Sequence, residues 1–163
     1  RYSLPTVASV QGPHGLRHYL SKEYRYNIED EVKKRNEHTD FISENEKDLA
    51  FDCAVAKVCA DVSMGRHVGV LTPVYTGCGA SFQQEGKDLT QLRYIIGTGG
   101  ILVYNSHYKE IMEACKFRED DPFSLKPKNP QFLLDKEYIL SAMGLLATED
   151  PDLAIRIMKK HLV

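Results

Sequence analysis

The stretch from Lys87 to Tyr104 constrains the fold of this chain more than any other. The largely apolar run Leu92–Ile96 leads directly into Gly97–Gly100, where three of four residues are glycine, and a second apolar run, Ile101–Tyr104, follows at once. Glycine lets the backbone approach a neighbouring group closely and adopt a positive φ without a Cβ clash. A helix that begins after the glycines would offer free N–H groups to an anion. The pattern therefore predicts a strand, a glycine turn and a helix.

The residues of the glycine turn leave two interpretations open. The turn does not match the G-x-G-x-x-G pattern of dinucleotide-binding folds, and it lacks the Lys-Ser/Thr ending of a phosphate-binding loop. It fits a tight structural turn about as well as a nucleotide-contacting loop. Lys87 and Asp88, upstream of the turn, fit either a polar strand entry or a ligand contact.

Length and charge narrow the class of protein. The 163 residues are enough for one domain with a core, and the net charge of −2 gives no reason to expect a nucleic-acid partner. No apolar run approaches the roughly 18–20 residues that span a bilayer, so no membrane segment is expected. The chain begins at Arg1 without Met, and its opening resembles the interior of a longer protein. We therefore expect a piece of a longer parent chain.

The cysteines favour a reducing, cytoplasmic setting. None of Cys53, Cys59, Cys78 and Cys115 forms a C-x-x-C pair, so neither a zinc ribbon nor a redox motif is indicated. The helical pattern around Cys53 and Cys59 predicts buried thiols.

Polar start signals predict the helices of the first half. A short helix is expected over Leu16–Lys22. His14 and His18 lie at i, i+4 spacing and could share a helix face, but a metal site would need a third ligand. Pro13 and Gly15 argue against a firm helix there, so solvated histidines are favoured. Asn27 is predicted to cap a charged helix over Ile28–Glu37. That helix is either a solvated surface helix or a face that docks a partner.

The longest predicted helix follows a capping box formed by Ser43 and Glu46. It should run to about Met64, with Gly65 as a left-handed cap. Its apolar residues recur at helical spacing and are expected in the core: Phe51, Val55, Val58 and Val62.

The period then changes to that of strands. A hairpin is expected to turn at Gly77–Gly79, and the later strands and helices alternate, which predicts one α/β domain over residues 1–163. The expected elements are strands over Val68–Tyr75, Ala80–Gln84, Leu92–Ile96 and Phe132–Leu134, a helix over Ser106–Lys116, and two further helices capped by Asp135 and by Asp150 with Pro151.

Few residues indicate chemistry. No nucleophile elbow, metalloprotease motif or carboxylate pair appears, so neither catalytic nor metal-ligating residues are assigned. Arg66 fits either a bidentate phosphate or carboxylate contact or a surface ion pair at a helix end. Asp135 is better explained as a helix cap than as a metal ligand.

Three segments together are similar to a known family. The first joins Arg66-His67 to Tyr75-Thr76 and Gly79. The second runs from Gln84 to Gly100, and the third from Leu133 to Leu146. In order and spacing they resemble the C-terminal part of the MutL (GlmL) family, which is unrelated to the mismatch-repair proteins of the same name. One departure is Gly77-Cys78, where family members tend to have Pro after the Tyr-Thr pair.

The resemblance implies a fold and a ligand. The fold is that of the C-terminal lobe of an actin/Hsp70/sugar-kinase-like (ribonuclease H-like) protein, with a small mixed sheet covered by helices. The ligand is ATP or ADP with magnesium, bound between two lobes of the full-length parent. Gly97, Thr98, Gly99 and Gly100 match the adenosine-side glycine loop, and Lys87 and Arg66 are further candidate contacts. The phosphate-binding and magnesium-positioning segments of the family lie N-terminal to Arg1, so this chain alone is predicted to lack ATPase activity.

The resemblance also implies a role. Family members are thought to be ATP-dependent, chaperone-like reactivating factors for adenosylcobalamin-dependent mutases such as glutamate mutase or ornithine aminomutase. The expected partners are therefore such a mutase and a nucleotide. Two alternatives remain: a small-molecule kinase of the same superfamily, and a non-catalytic interaction domain that docks on a mutase.

Overall fold

The computed structural model describes residues 15–25, 27–38, 40–77 and 79–163, and within these it is a mixed α/β structure. A 3-10 turn covers Lys22–Tyr24. The helices and strands in chain order are α1 Leu16–Tyr19, α2 Ile28–Glu37, α3 Glu46–His67, β1 Val70–Thr76, β2 Gly79–Glu85, β3 Tyr94–Gly97, α4 Gly100–Val103, α5 Tyr108–Glu113, β4 Gln131–Leu134, α6 Leu140–Leu146 and α7 Pro151–His161. No helix among the described residues is both long enough and apolar enough to cross a membrane.

Helix α3 organises the core. Its predicted core residues Phe51 and Val58 are fully buried, while Val55 and Val62 are half-buried against the same cluster. Burying one such side chain contributes about 1.5–3 kcal/mol. The cluster consists of Leu16, Leu20, Ile28, Phe51, Ala54 and Val58.

Both predicted ends of α3 are wrong. The N-cap is Asn45, whose side chain accepts from the backbone N–H of Asp48 at 2.9 Å, while the Ser43 hydroxyl donates to the Asp52 carboxylate. At the other end Gly65 stays helical, and α3 continues to His67. The N–H of Val68 donates to the Met64 carbonyl at 3.0 Å, so the last turn closes without a left-handed residue.

Helix α2 has the predicted bounds but not the predicted cap. Asn27 has a left-handed backbone with φ 56°, and its side chain caps no N–H. Instead, its carbonyl accepts from the N–H of Glu31 at 3.0 Å. Within α2, Ile28 and Arg35 are buried, which means that one face of this charged helix packs on the rest of the molecule. His14, paired with His18 in the sequence, lies outside the described residues.

The predicted hairpin is confirmed. Strands β1 and β2 pair antiparallel, from Val70 opposite Glu85 to Thr76 opposite Gly79. Cys78, in the turn, lies outside the described residues. At the base of the hairpin the N–H of Gly69 donates to the Lys87 carbonyl at 2.7 Å, which brings the two ends of the hairpin together.

The strand predicted before the glycines and the strand predicted before Asp135 are also confirmed, and they pair with each other. Strands β3 and β4 run parallel in a two-stranded sheet separate from the hairpin. The described residues therefore form two small sheets rather than one mixed sheet. Asp135 is not the predicted N-cap, because α6 begins only at Leu140 and its N-cap is Ile139. The Asp135 carboxylate nevertheless accepts from the N–H groups of Ile139 and Leu140 at 3.0 and 3.2 Å, so it holds the turn that leads into α6.

Two other predicted helices, α5 and α7, differ in how well their predicted bounds match the structure. Helix α5 is shorter than predicted, since it covers only Tyr108–Glu113. Helix α7 starts as predicted, because Asp150 accepts from the N–H of Leu153 at 2.9 Å and Pro151 occupies the first turn. Proline is tolerated there because a backbone N–H in the first turn has no partner within the helix, so the N–H that proline lacks is not missed.

Candidate functional site

A cleft of about 610 Å³ lies between the glycine loop and α3. One wall follows directly from β3, where the chain turns at Thr98 and Gly99 into α4. The other wall is a face of α3, and Ile111 of α5 contributes beside it. The lining residues are Asp52, Val55, Ala56, Cys59, Ala60, Ser63, Thr98, Gly99, Gly100, Ile101, Leu102 and Ile111.

The glycines of the loop are present for different reasons. A Cβ at Gly97 would lie 2.8 Å from Leu102 Cδ1 and 3.0 Å from Met112 Sδ, so packing favours glycine there. Gly99 has φ 101°, a backbone conformation that residues with a side chain rarely adopt. A Cβ at Gly99 would meet nothing within 4 Å. The Gly99 carbonyl accepts from Leu102 and Val103, both at 3.0 Å, and so begins α4.

The α3 wall consists mainly of small residues. Ala56, Cys59, Ala60 and Ser63 recur at helical spacing and face the loop across the cleft. Small side chains leave room for a flat group between the helix and the glycine backbone. Burial raises the pKa of the Cys59 thiol, so this cysteine is not an activated nucleophile.

Asp52 is the one charged residue that lines the cleft within the described part of the chain. Its Oδ1 accepts from Arg35 Nε at 2.5 Å, and its Oδ2 accepts from the Ser43 hydroxyl. Arg35 also contacts Glu31 at 2.7 Å, and its guanidinium lies 4.4 Å from the centroid of the Phe51 ring. The carboxylate is therefore fixed by a buried cation and a hydroxyl from outside the cleft.

Sequence reasoning missed Asp52 and its support. The pairing joins residues 17 positions apart on different helices, so no local spacing reveals it. One signal was present, since Asp52 lies one helical turn before Ala56 on a run of small residues. The apolar spacing of that helix predicts only a core element.

The predicted ligand contacts fall into two groups. Thr98, Gly99 and Gly100 line the cleft, and Gly97 lies directly behind them in β3. Arg66 and Lys87 are exposed and do not line the cleft. In the described part of the chain neither makes an ion pair, so the surface pair considered for Arg66 is absent there. Their roles toward a ligand stay predictions.

A metal centre does not arise from the described residues. Among residues 15–25, 27–38, 40–77 and 79–163, no group of three or more His, Cys, Asp or Glu side chains is arranged to hold a metal ion. Asp135 is almost fully buried, and its carboxylate accepts from two backbone N–H groups.

Comparison with known proteins identifies the family. The sequence profile of the family described as MutL protein matches residues 1–162. Over all 163 residues the chain is 45% identical to Protein MutL of Clostridium tetanomorphum, and it spans 35% of the length of that relative. No solved structure matches. The chain therefore belongs to the MutL protein family.

Proposed function

We propose that this chain is the C-terminal nucleotide-binding lobe of an ATP-dependent, chaperone-like reactivating factor for an adenosylcobalamin-dependent mutase of the glutamate mutase or ornithine aminomutase type. The observation that carries the proposal is the cleft between the glycine loop and α3 in a chain of the MutL family. The actin/Hsp70/sugar-kinase-like fold and the ligand, ATP or ADP with magnesium, are parts of the same proposal.

The walls of the cleft suit the nucleoside end of such a ligand. A volume of about 610 Å³ is within the range of small-molecule sites. Alanines and glycine backbone on facing walls leave space for a flat ring system. Val55, Ile101 and Leu102 supply apolar contact area. These features favour an adenine base held by van der Waals contact.

The same lining is unsuited to phosphates. Among the described residues that line the cleft there is no cation, and the one charge is the carboxylate of Asp52. Phosphate groups need N–H donors, cations or a metal ion. In the proposed arrangement these come from the lobe that the family carries N-terminal to this region, so the chain alone binds nucleotide weakly and hydrolyses none.

Mutase reactivation is the direct test of this function. The protein, expressed at the length its gene encodes, is added with adenosylcobalamin to glutamate mutase or ornithine aminomutase that has lost activity through cofactor damage. The expected result is recovery of activity with magnesium-ATP and no recovery with a non-hydrolysable analogue. Failure to restore either mutase would contradict the reactivating role, and transfer of the γ-phosphate to a metabolite would favour a kinase instead.

A second candidate, a nucleotide-independent docking domain, is favoured by the surface of the hairpin. Tyr75 and Phe82 are 84% and 58% exposed, and Phe123 packs against Phe82 with ring centroids 5.9 Å apart. Exposed aromatic residues of this kind are common at protein interfaces. Capture of a mutase by this chain without nucleotide, lost in Tyr75→Ser, would favour docking as its main function.

A further inference from the structure

Asp52 of α3 borders two different parts of the molecule. On one side it contacts Arg35 of α2, and on the other it lines the cleft beside Ala56. Its side chain is 23% exposed, compared with 8% for Arg35. The carboxylate is therefore anchored from behind while it remains accessible from solvent.

The anchoring leaves acceptor capacity unused. An ionised carboxylate has about four lone-pair sites on its two oxygens. Among the described residues Arg35 and Ser43 each take one of them. Arg35 is itself held by Glu31 and lies over the Phe51 ring, so Asp52 has little freedom to turn away.

A fixed acceptor at the edge of an apolar cleft selects for ligand donors. A carboxylate repels phosphate and accepts hydrogen bonds from neutral hydroxyl groups. In a nucleotide, the hydroxyls of the ribose are the neutral O–H donors next to the base. If the base lies between the alanines of α3 and the glycine loop, the ribose is the part of the nucleotide that reaches the end of the cleft.

We infer that Asp52 binds a ribose hydroxyl of the nucleotide and so selects ribonucleotides, and that Arg35 and Ser43 are positioning residues for its carboxylate. This inference rests on the nucleotide binding proposed above. It adds a specificity-determining residue that lies 46 positions before Thr98, on an element other than the glycine loop.

A ligand series tests the inference within one protein. The protein, at the length its gene encodes, is titrated with the magnesium complexes of ATP, 2′-deoxy-ATP, 3′-deoxy-ATP and purine riboside triphosphate, which lacks the 6-amino group. Loss of a hydrogen bond to a charged acceptor should weaken one deoxy form roughly tenfold or more relative to ATP. Purine riboside triphosphate should bind about as tightly as ATP, because the donor to Asp52 is a ribose hydroxyl and not the 6-amino group.

The variant Asp52→Asn links the preference to this residue. Its affinity ratio between ATP and the weaker deoxy form should fall to about two- or threefold, since an amide is a poorer acceptor than a carboxylate. The ratio does not depend on the fraction of folded protein. The matched control is Glu37→Gln, which removes an exposed ion pair with Lys33 on α2, away from Arg35 and from the cleft, and should leave the ratio unchanged.

The outcomes separate two kinds of failure. Equal binding of ATP and both deoxy forms by the unmodified protein overturns the role of Asp52 without any variant. An unchanged ratio in Asp52→Asn overturns it as well, while ATP binding itself stands. Absence of ATP binding by the unmodified protein overturns the proposed function together with this inference.

Discussion

Two regions of the molecule place glycines in opposite surroundings. One is the contact between Gly69 and Gly86, and the other is the loop Gly97–Gly100. A Cβ on Gly69 would lie 2.3 Å from the Glu85 carbonyl oxygen and 2.7 Å from the carbonyl carbon of Gly86. A Cβ on Gly99 would meet nothing within 4 Å. The first site is closed by backbone, whereas the second opens on a cleft. A glycine that backbone packing requires is structural, whereas the open space beside Gly99 belongs to the cleft and leaves room for a ligand.

The largest loss of stability is expected at the buried ion pair between Asp61 and Lys126. Both residues are about 4% exposed, and Arg118 contacts the same carboxylate at 3.0 Å. Asp61→Asn should cost about 3–5 kcal/mol of unfolding free energy, because it leaves a buried ammonium without its counter-charge. Urea denaturation measures this loss. Glu113→Gln, which removes an exposed pair with Lys116, is the control and should change little.

The same ion pair predicts a pH dependence. Burial alone would raise the pKa of Asp61, but its hydrogen bond to Lys126 and the charges of Lys126 and Arg118 lower the pKa below the usual 3.8. A lowered folded-state pKa gives stability that is present above the unfolded value and is lost as pH falls through the folded one. The stability gap between wild type and Asp61→Asn should therefore narrow below about pH 4. A gap that widens on acidification would contradict the pairing.

Gly69→Ala should be the next largest effect. The added methyl would lie within 3 Å of three backbone atoms of residues 85–87. Backbone cannot shift as a side chain can, so we expect a loss of about 3 kcal/mol. Gly77→Ala is the matched control in the hairpin turn, since its Cβ would meet nothing within 4 Å. Equal urea midpoints for the two variants would remove the basis for calling the Gly69 site closed.

Gly97→Ala sharpens the comparison inside the loop itself. Its Cβ would crowd Leu102 and Met112, but at the flexible ends of their side chains, so a loss of only about 1 kcal/mol is expected. Gly100→Ala should cost nothing in stability, because its nearest neighbour is a Tyr104 ring atom at an ordinary 3.8 Å. A larger loss for Gly100→Ala than for Gly97→Ala would reverse the assignment of packed and open glycines.

The sequence predicted the elements whose signals are local. Asp150 with Pro151 marked α7, and the glycine-bounded apolar runs marked the hairpin and β3. It failed where a tertiary contact decides the outcome. Ser43 matches a helix cap, but its hydroxyl donates to Asp52, and Asn45 takes the cap instead.

For the same reason, only one of the two walls of the candidate site was predicted. The glycine loop is a local pattern and could be recognised from its residues. The α3 wall lies 35 to 48 residues earlier in the chain and meets the loop only through folding. Local spacing therefore indicates the glycine loop and the helix, but not that one face of the helix lies across from the loop.

The smallest expected effect is the protection of a cysteine thiol from alkylation. Cys59 lines the cleft, whereas Cys115 is not among the described lining residues. Burial raises the pKa of the Cys115 thiol to about 11. Bound magnesium-ATP should slow alkylation of Cys59 a few-fold and leave the slow reaction of Cys115 unchanged. Mass spectrometry of iodoacetamide-treated peptides measures both rates. Equal slowing of the two thiols would indicate general tightening rather than a ligand in the cleft.

The most direct test of the open glycine loop is calorimetric titration of magnesium-ATP into the protein at the length its gene encodes and into its Gly99→Val form. Gly77→Val serves as a control glycine outside the cleft, and urea midpoints show that each variant is folded. We predict binding in the unmodified protein and in Gly77→Val, and at least a tenfold loss in Gly99→Val. Equal affinity in all three proteins, or no binding in any of them, would contradict the assignment of this cleft to a nucleotide.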